Sequence, residues 1–394
     1  MDYINAKIEE CLANSSMIRR MFEMGIELKK KYGAENVFDF SLGNPDLPPP
    51  PQVKEALTAI AAGADKPFAL GYMPNAGFPE LRRQVAEQVS REQHETIDGS
   101  HVVLCCGAAG ALNVFFRAVL TPGDEVLCPS PYFVEYGFYA GNYGGTLKSV
   151  PTKKDFELDA EGFRKAVNAR TRAVILNSPN NPTGRIYTAT ELKAVADVIA
   201  EAEKRFGRPI YVISDEPYRF LNFENVEIPA FFGLFPHTAV MGSCSKNLSL
   251  AGERIGYIAV ANFDGSDLVM NALIFCNRIL GFVNAPVVGQ QILSRCMGAQ
   301  VDLNVYRERR DAMAGVLDQA GIEYFMPQGA FYFFPKSPTA DERIFIDALS
   351  AERVLAVPGR GFGMPGYFRM AFCVDKTLIE RSAPGFKRAA EKVR

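Results

Sequence analysis

A lysine set among small hydroxyl and thiol side chains is the first candidate for chemistry in this sequence. Lys246 stands in SCSKNLSLAGERIGY, just after the strand-like run HTAVMGS, with Arg254 eight residues on and Gly252 and Gly256 allowing close approach. A lysine held at a strand end just after Ser243 and Ser245 can serve as a Schiff-base nucleophile with phosphate ligands nearby; a lone lysine can equally be a solvated surface residue. Asp215 ends the apolar run YVIS, where a carboxylate is costly unless paired. It reads either as a helix N-cap or as the partner of a buried cation. Asn181 lies in NSPNNPTG, after the apolar run AVILN. The prolines and glycine are ordinary turn chemistry, but ligands of open α/β sheets gather at the carboxyl ends of strands, where Asn181 would present a neutral donor.

CCGAAGALNVFFRAVL places a strand, a small-residue turn and a helix in succession. The backbone N–H groups of Ala108 and Ala109 would then point off a helix N-terminus, where phosphate is favoured, although small residues also serve close packing there. Gly361-Phe-Gly363-Met-Pro-Gly366 matches the dinucleotide fingerprint only as text. Pro365 sits inside it and a strand-like run follows, so it reads as a loop.

These residues need a scaffold. From about 79 to 330, helical and strand-like stretches alternate, and runs such as AVILN and IYVIS are continuously apolar, as in a parallel sheet covered on both faces. The fold class is therefore α/β, a large domain with a mostly parallel sheet flanked by helices, plus a smaller α+β domain built from both termini. The expected divisions are an N-terminal arm and part of the small domain over 1–48, a large domain over 49–290 and a C-terminal small domain over 291–394. Single helices are expected over 4–32, 286–318 and 376–392, a helix over 131–140, and short strands over 323–326, 330–334 and 367–373.

Composition narrows the possibilities. With 43 basic against 45 acidic residues in 394, no basic footprint for nucleic acid is present. The eight scattered cysteines lack a C-x-x-C and read as reduced thiols of a cytoplasmic protein, and three separated histidines offer no zinc spacing. No membrane span, signal peptide or metal is expected.

The order of eight motifs, SLGNPDLPPP, GYMPNAGFPELRRQVA, GAAGAL, SPYFVEY, NSPNNPTG, SDEPY, SCSKNLSLAGERIGY and FRMAFC, resembles the class I (aspartate and aromatic type) aminotransferases among the fold type I pyridoxal-phosphate enzymes. The resemblance implies that Lys246 carries pyridoxal 5′-phosphate as a Schiff base and later shuttles a proton. It implies Asp215 on the pyridine nitrogen, Tyr218 and Asn181 on the 3′-oxygen, and Phe133 stacked on the ring. It further implies a phosphate cup of Ala108, Ala109, Ser243, Ser245 and Arg254, with Tyr72 reaching in from the second subunit of a homodimer. Arg369 would take the substrate α-carboxylate, with Gly43 opposite offering a backbone N–H.

The turn Gly-Ala-Ala-Gly departs from relatives that carry a side-chain donor there, and Phe replaces Trp at the stacking position. Arg278 lies near the place where some relatives bind a distal carboxylate, one residue off that pattern, and reads as such a ligand or as a structural or solvated arginine. The activity implied is ping-pong transfer of an amino group from an L-amino acid of the aspartate, glutamate or aromatic class to a 2-oxo acid. The rivals are a C–S β-lyase with the same cofactor and a non-catalytic ligand-binding protein on the same scaffold.

Overall fold

The apolar runs AVILN and YVIS become neighbouring parallel strands whose alternate side chains enter different cores. A computed structural model describes residues 3–14 and 16–394; Met1, Asp2 and Ser15, which belong to the expected N-terminal arm, lie outside the described residues. In chain order the strands are β1 (Phe38–Asp39), β2 (Val102–Cys105), β3 (Glu125–Ser130), β4 (Thr146–Pro151), β5 (Thr171–Asn177), β6 (Tyr211–Asp215), β7 (Thr238–Ser243), β8 (Gly256–Val260), β9 (Tyr332–Phe333), β10 (Val354–Leu355), β11 (Val357–Pro358) and β12 (Phe368–Ala371).

Seven of them form one sheet in the order β2-β8-β7-β6-β5-β3-β4, parallel from β7 through β4, with β8 antiparallel to both β7 and β2. The α/β expectation holds. Ile175 and Ile213 enter one core with Phe115 and Phe116 of the helix Gly107–Val119, while Val174, Leu176 and Val212 enter another with Leu192 and Ile199 of the helix Ala189–Phe206. Each such side chain contributes about 1.5–3 kcal/mol by leaving water, which is why these strands carry apolar residues at both parities. The helix Ala189–Phe206 is started by a capping box between Thr188 and Glu191 and ended by Gly207 at φ 65°.

This sheet belongs to a unit of Leu47–Asn180 and Arg185–Asp302. A second unit takes in the described residues up to Asp46, Asn181–Gly184 and Leu303–Arg394. In it β1 pairs in parallel with β10, and β11, β12 and β9 form an antiparallel sheet.

Several expected elements divide. The helix expected over 286–318 is two, Val287–Arg295 and Leu303–Gln319, with Gly298 between them at φ +81°, outside the helical region. The terminal helix separates at Ser382 into Lys376–Arg381 and Ala383–Val393, the second opening with a proline in its first turn, where no N–H is missed. The N-terminal segment gives Ala6–Asn14 and Ser16–Tyr32, and the helix expected over 131–140 starts only at Glu135. No strand forms over 323–326, and those expected over 330–334 and 367–373 shorten to β9 and β12. Among the described residues no helix is long and apolar enough to cross a membrane.

Candidate functional site

Parallel register brings the carboxyl ends of β5, β6 and β7 together. Asn177 pairs in register with Asp215, and Asp215 with Met241, two residues before Ser243. Asn177 Nδ2 donates to the Asp215 backbone carbonyl at 2.8 Å. The Asp215 carboxylate is buried; Oδ2 accepts from the Tyr136 phenol at 2.5 Å, whereas Oδ1 has no hydrogen-bond partner. Burial pushes this carboxyl up from 3.8 to about 6, opposed by the Tyr136 hydrogen bond and reinforced by the neighbouring Glu216 charge. A buried carboxylate oxygen with no donor suits a ligand that brings an N–H or a positive charge.

Beyond β7 the chain turns into the short helix Cys244–Asn247, which carries Lys246. Ser243 Oγ caps that turn, accepting from the Ser245 N–H at 3.2 Å, and lies 2.8 Å from Ser245 Oγ. Arg254, at φ 50°, sends Nη1 to the Ala251 carbonyl at 2.8 Å and to Ser245 Oγ at 3.4 Å. Its guanidinium lies against Gly107 at the start of the helix bearing Ala108 and Ala109, so closely that a Cβ on Gly107 would stand 2.5 Å from Nη2. Gly256 is equally required, since a Cβ there would meet the Gly107 and Gly242 backbones at 2.7 Å. Two hydroxyls, a guanidinium and helix-terminal amides thus converge beside Lys246, an arrangement suited to a phosphate dianion.

Phe133 packs edge-on against Tyr136, with ring centroids 5.5 Å apart. Tyr218 is buried three residues after Asp215. Tyr72 is 90% exposed and Arg278 is exposed at the end of the helix Ser266–Asn277, so neither is enclosed within a single chain.

The second unit holds Arg369 on β12, buried. Its Nη2 donates to the Ser41 carbonyl at 2.7 Å and its Nη1 approaches Asn181 Oδ1 at 3.4 Å. The guanidinium lies over two rings, 4.8 Å from the Tyr332 centroid and 4.7 Å from that of Phe362. Gly43 is needed where it stands, because a Cβ there would fall 2.0 Å from the Tyr332 hydroxyl. A fixed planar fork of this kind is suited to a carboxylate.

Sequence reasoning did not identify Tyr136, Tyr332 or Phe362. Tyr136 stood within SPYFVEY, three residues from Phe133, but the helix starts only at Glu135, so Phe133 lies before it and no helical spacing marked the pair. Nothing local marks Tyr332 or Phe362 as neighbours of Arg369.

A family model described as "Aminotransferase class I and II" matches residues 35–384. A protein of Aquifex aeolicus (strain VF5), named probable aspartate/prephenate aminotransferase, is 32% identical over 385 residues, covering 91% of this chain and 92% of the relative. The aspartate aminotransferase of Bacillus subtilis (strain 168) is 30% identical over 384 residues, covering 92% of this chain and 93% of its own. Among solved structures, an amino transferase from Eubacterium rectale superposes with a TM-score of 0.94 at 35% identity, over 100% of this chain and 99% of that one. Aspartate aminotransferase from Thermus thermophilus with maleate gives 0.86 at 26% identity, over 99% of this chain and 100% of that one.

Proposed function

Because the chain belongs to the class I and II aminotransferases, we propose that Lys246, Asp215 and Arg369 are the residues with which it works. The reaction is pyridoxal 5′-phosphate-dependent transfer of an amino group between amino and 2-oxo acids. The donor we propose is an L-amino acid of the aspartate, glutamate or aromatic class, which agrees with the names of relatives that are aspartate, aspartate/prephenate and aromatic-amino-acid aminotransferases.

The residues fit the cofactor. The observation that carries this reading is Asp215 Oδ1, buried and without a donor, where a protonated pyridine nitrogen would supply one. The cradle of Gly107, Ala108, Ala109, Ser243, Ser245 and Arg254 suits the phosphate, with backbone N–H groups of the helix standing in for the side-chain donor that the Gly-Ala-Ala-Gly turn lacks. When bound, the cofactor supplies a sink for the electron pair left as the substrate's Cα–H bond breaks.

The chain's own groups do the rest. Arg369 binds the substrate α-carboxylate, and its contacts with the Tyr332 and Phe362 rings restrain the fork. Asp215 holds the proton at the ring nitrogen, which its buried charge strengthens. Lys246 would hold the cofactor in the resting state and, once displaced by substrate, would be the base that takes the Cα proton and returns it at C4′. Tyr218 and Asn181 would donate to the cofactor's 3′-oxygen, Phe133 would cover its ring, and Gly43 would offer its N–H to the substrate carboxylate held by Arg369.

We place the protein in the cytoplasm as a homodimer. No disulfide joins its cysteines among the described residues, in keeping with a reducing compartment. Phe68, Leu70 and Tyr72 are exposed within five residues, and Leu268, Phe275, Ile279 and Phe282 are exposed in the segment 268–282 that contains Arg278, apolar side chains that a second copy would cover. Tyr72 would then reach the partner's phosphate cup. Mixing a Tyr72→Ala chain with a Lys246→Ala chain tests this: hybrid dimers should regain one working site, and no recovery would refute the shared site.

A further inference from the structure

The loop Gly359–Gly366, whose glycines imitate a dinucleotide fingerprint, carries Phe362 against Arg369, and its conformation depends on a buried acid. Glu342, fully buried in the first turn of the helix Glu342–Ala351, accepts from Arg360 through Nε at 2.7 Å, Nη2 at 3.1 Å and the backbone N–H at 3.2 Å. It also accepts from the Gly366 N–H at 2.9 Å. One carboxylate therefore ties the beginning and the end of the loop to the same point. Asp341 adds a second contact to Arg360 at 2.8 Å.

Between these anchors the backbone folds tightly. Gly359 donates to the Tyr367 carbonyl at 2.7 Å, and a Cβ on it would meet the Met364 and Tyr367 oxygens at 2.4 and 2.5 Å. Gly363 and Gly366 take φ of +75° and +83°. The product of this folding is the placement of Phe362, fully buried, with its ring under the Arg369 guanidinium carbon at 4.7 Å. Burial alone would push the Glu342 carboxyl up, but the Arg360 and Gly366 donors outweigh it and hold it below its ordinary value, so the tie is ionic at neutral pH.

We infer that Glu342 and Arg360 are positioning residues for substrate: the pair bolts the Gly359–Gly366 loop so that Phe362 keeps the Arg369 fork aimed at the α-carboxylate. This rests on the reading of Arg369 given above. Both substrates of the reaction carry that carboxylate, so loosening the bolt weakens amino acid and 2-oxo acid alike, while leaving the cofactor's contacts untouched.

The test is steady-state kinetics of the cofactor-loaded protein with its amino-acid and 2-oxo-acid substrates. Native protein is compared with Glu342→Gln, Arg360→Lys and Phe362→Leu, alongside the visible spectrum and thermal midpoint of each. Glu342→Gln should raise both KM values about tenfold with kcat within about twofold, and Arg360→Lys should raise them about threefold. Phe362→Leu should raise KM with the Glu342–Arg360 pair intact. A lowered thermal midpoint with both KM values unchanged in Glu342→Gln and Arg360→Lys would reduce the pair to a structural brace and overturn the inference. Should Glu342→Gln fail to fold, Arg360→Lys, on a side chain one-third exposed, decides alone. A native protein that turned over no amino acid would remove the functional reading and this inference with it; native turnover with unmoved KM values in the variants removes this inference only.

Discussion

Tyr136 donates its phenolic O–H to Oδ2 of Asp215 at 2.5 Å, and both side chains are buried. The bond fixes which carboxylate oxygen is spent within the protein and which remains for a ligand. Tyr136→Phe should leave a buried carboxylate with neither oxygen satisfied. Affinity for pyridoxal phosphate should then fall by about tenfold, as expected for one hydrogen bond to a charged group, measured by titrating cofactor-free protein. Unchanged affinity would mean that Tyr136 is only packing.

Asp215 also dictates a pH dependence. Its carboxyl rises from 3.8 to about 6 in the folded, cofactor-free chain, equivalent to about 3 kcal/mol against the ionised form. Between those values the folded chain keeps a proton that the unfolded chain has lost, so this group's contribution to stability falls as pH rises through that window. Cofactor-free Asp215→Asn should therefore match the native protein near pH 4 and be the more stable of the two above pH 6. Thermal midpoints across pH measure this, and a constant difference would contradict it. With cofactor present, the same variant should lose kcat by about 10²-fold or more, because the charge that holds the ring proton is gone.

Gly43→Ala is a steric test of the carboxylate side. The new Cβ would stand 2.0 Å from the Tyr332 hydroxyl, and Tyr332 forms one wall of the Arg369 fork. We expect a loss of about 1–3 kcal/mol in stability and a raised KM, as in other overpacked positions. Native thermal midpoint and KM would show that Tyr332 moves aside freely.

Much of this was visible in the chain itself, for a physical reason. A carboxylate closing an apolar run and a lysine behind a strand are anomalies of type at a position, and Asp215 and Lys246 stood out on that ground. Tyr136 and Glu342 were not legible because each acts on a residue distant in sequence; Tyr136 reaches across 79 positions to Asp215, a separation no local pattern encodes. The break at Cys296–Asp302 was missed because apolar residues flank it at helical spacing, although seven residues there leave the helix, Gly298 among them at positive φ. Periodicity reports which face is buried, and it is insensitive to where the backbone turns between two buried faces.

The most direct test of the central claim is the visible spectrum of the cofactor-loaded protein through both half-reactions. A yellow band that bleaches with L-aspartate, L-glutamate or L-phenylalanine, returns on adding a 2-oxo acid, and is absent from Lys246→Ala is the predicted result. A band that persists while pyruvate and ammonia accumulate from a β-thiol substrate such as cystathionine would contradict amino transfer, and a Lys246→Ala protein with full turnover would contradict the assignment of the lysine.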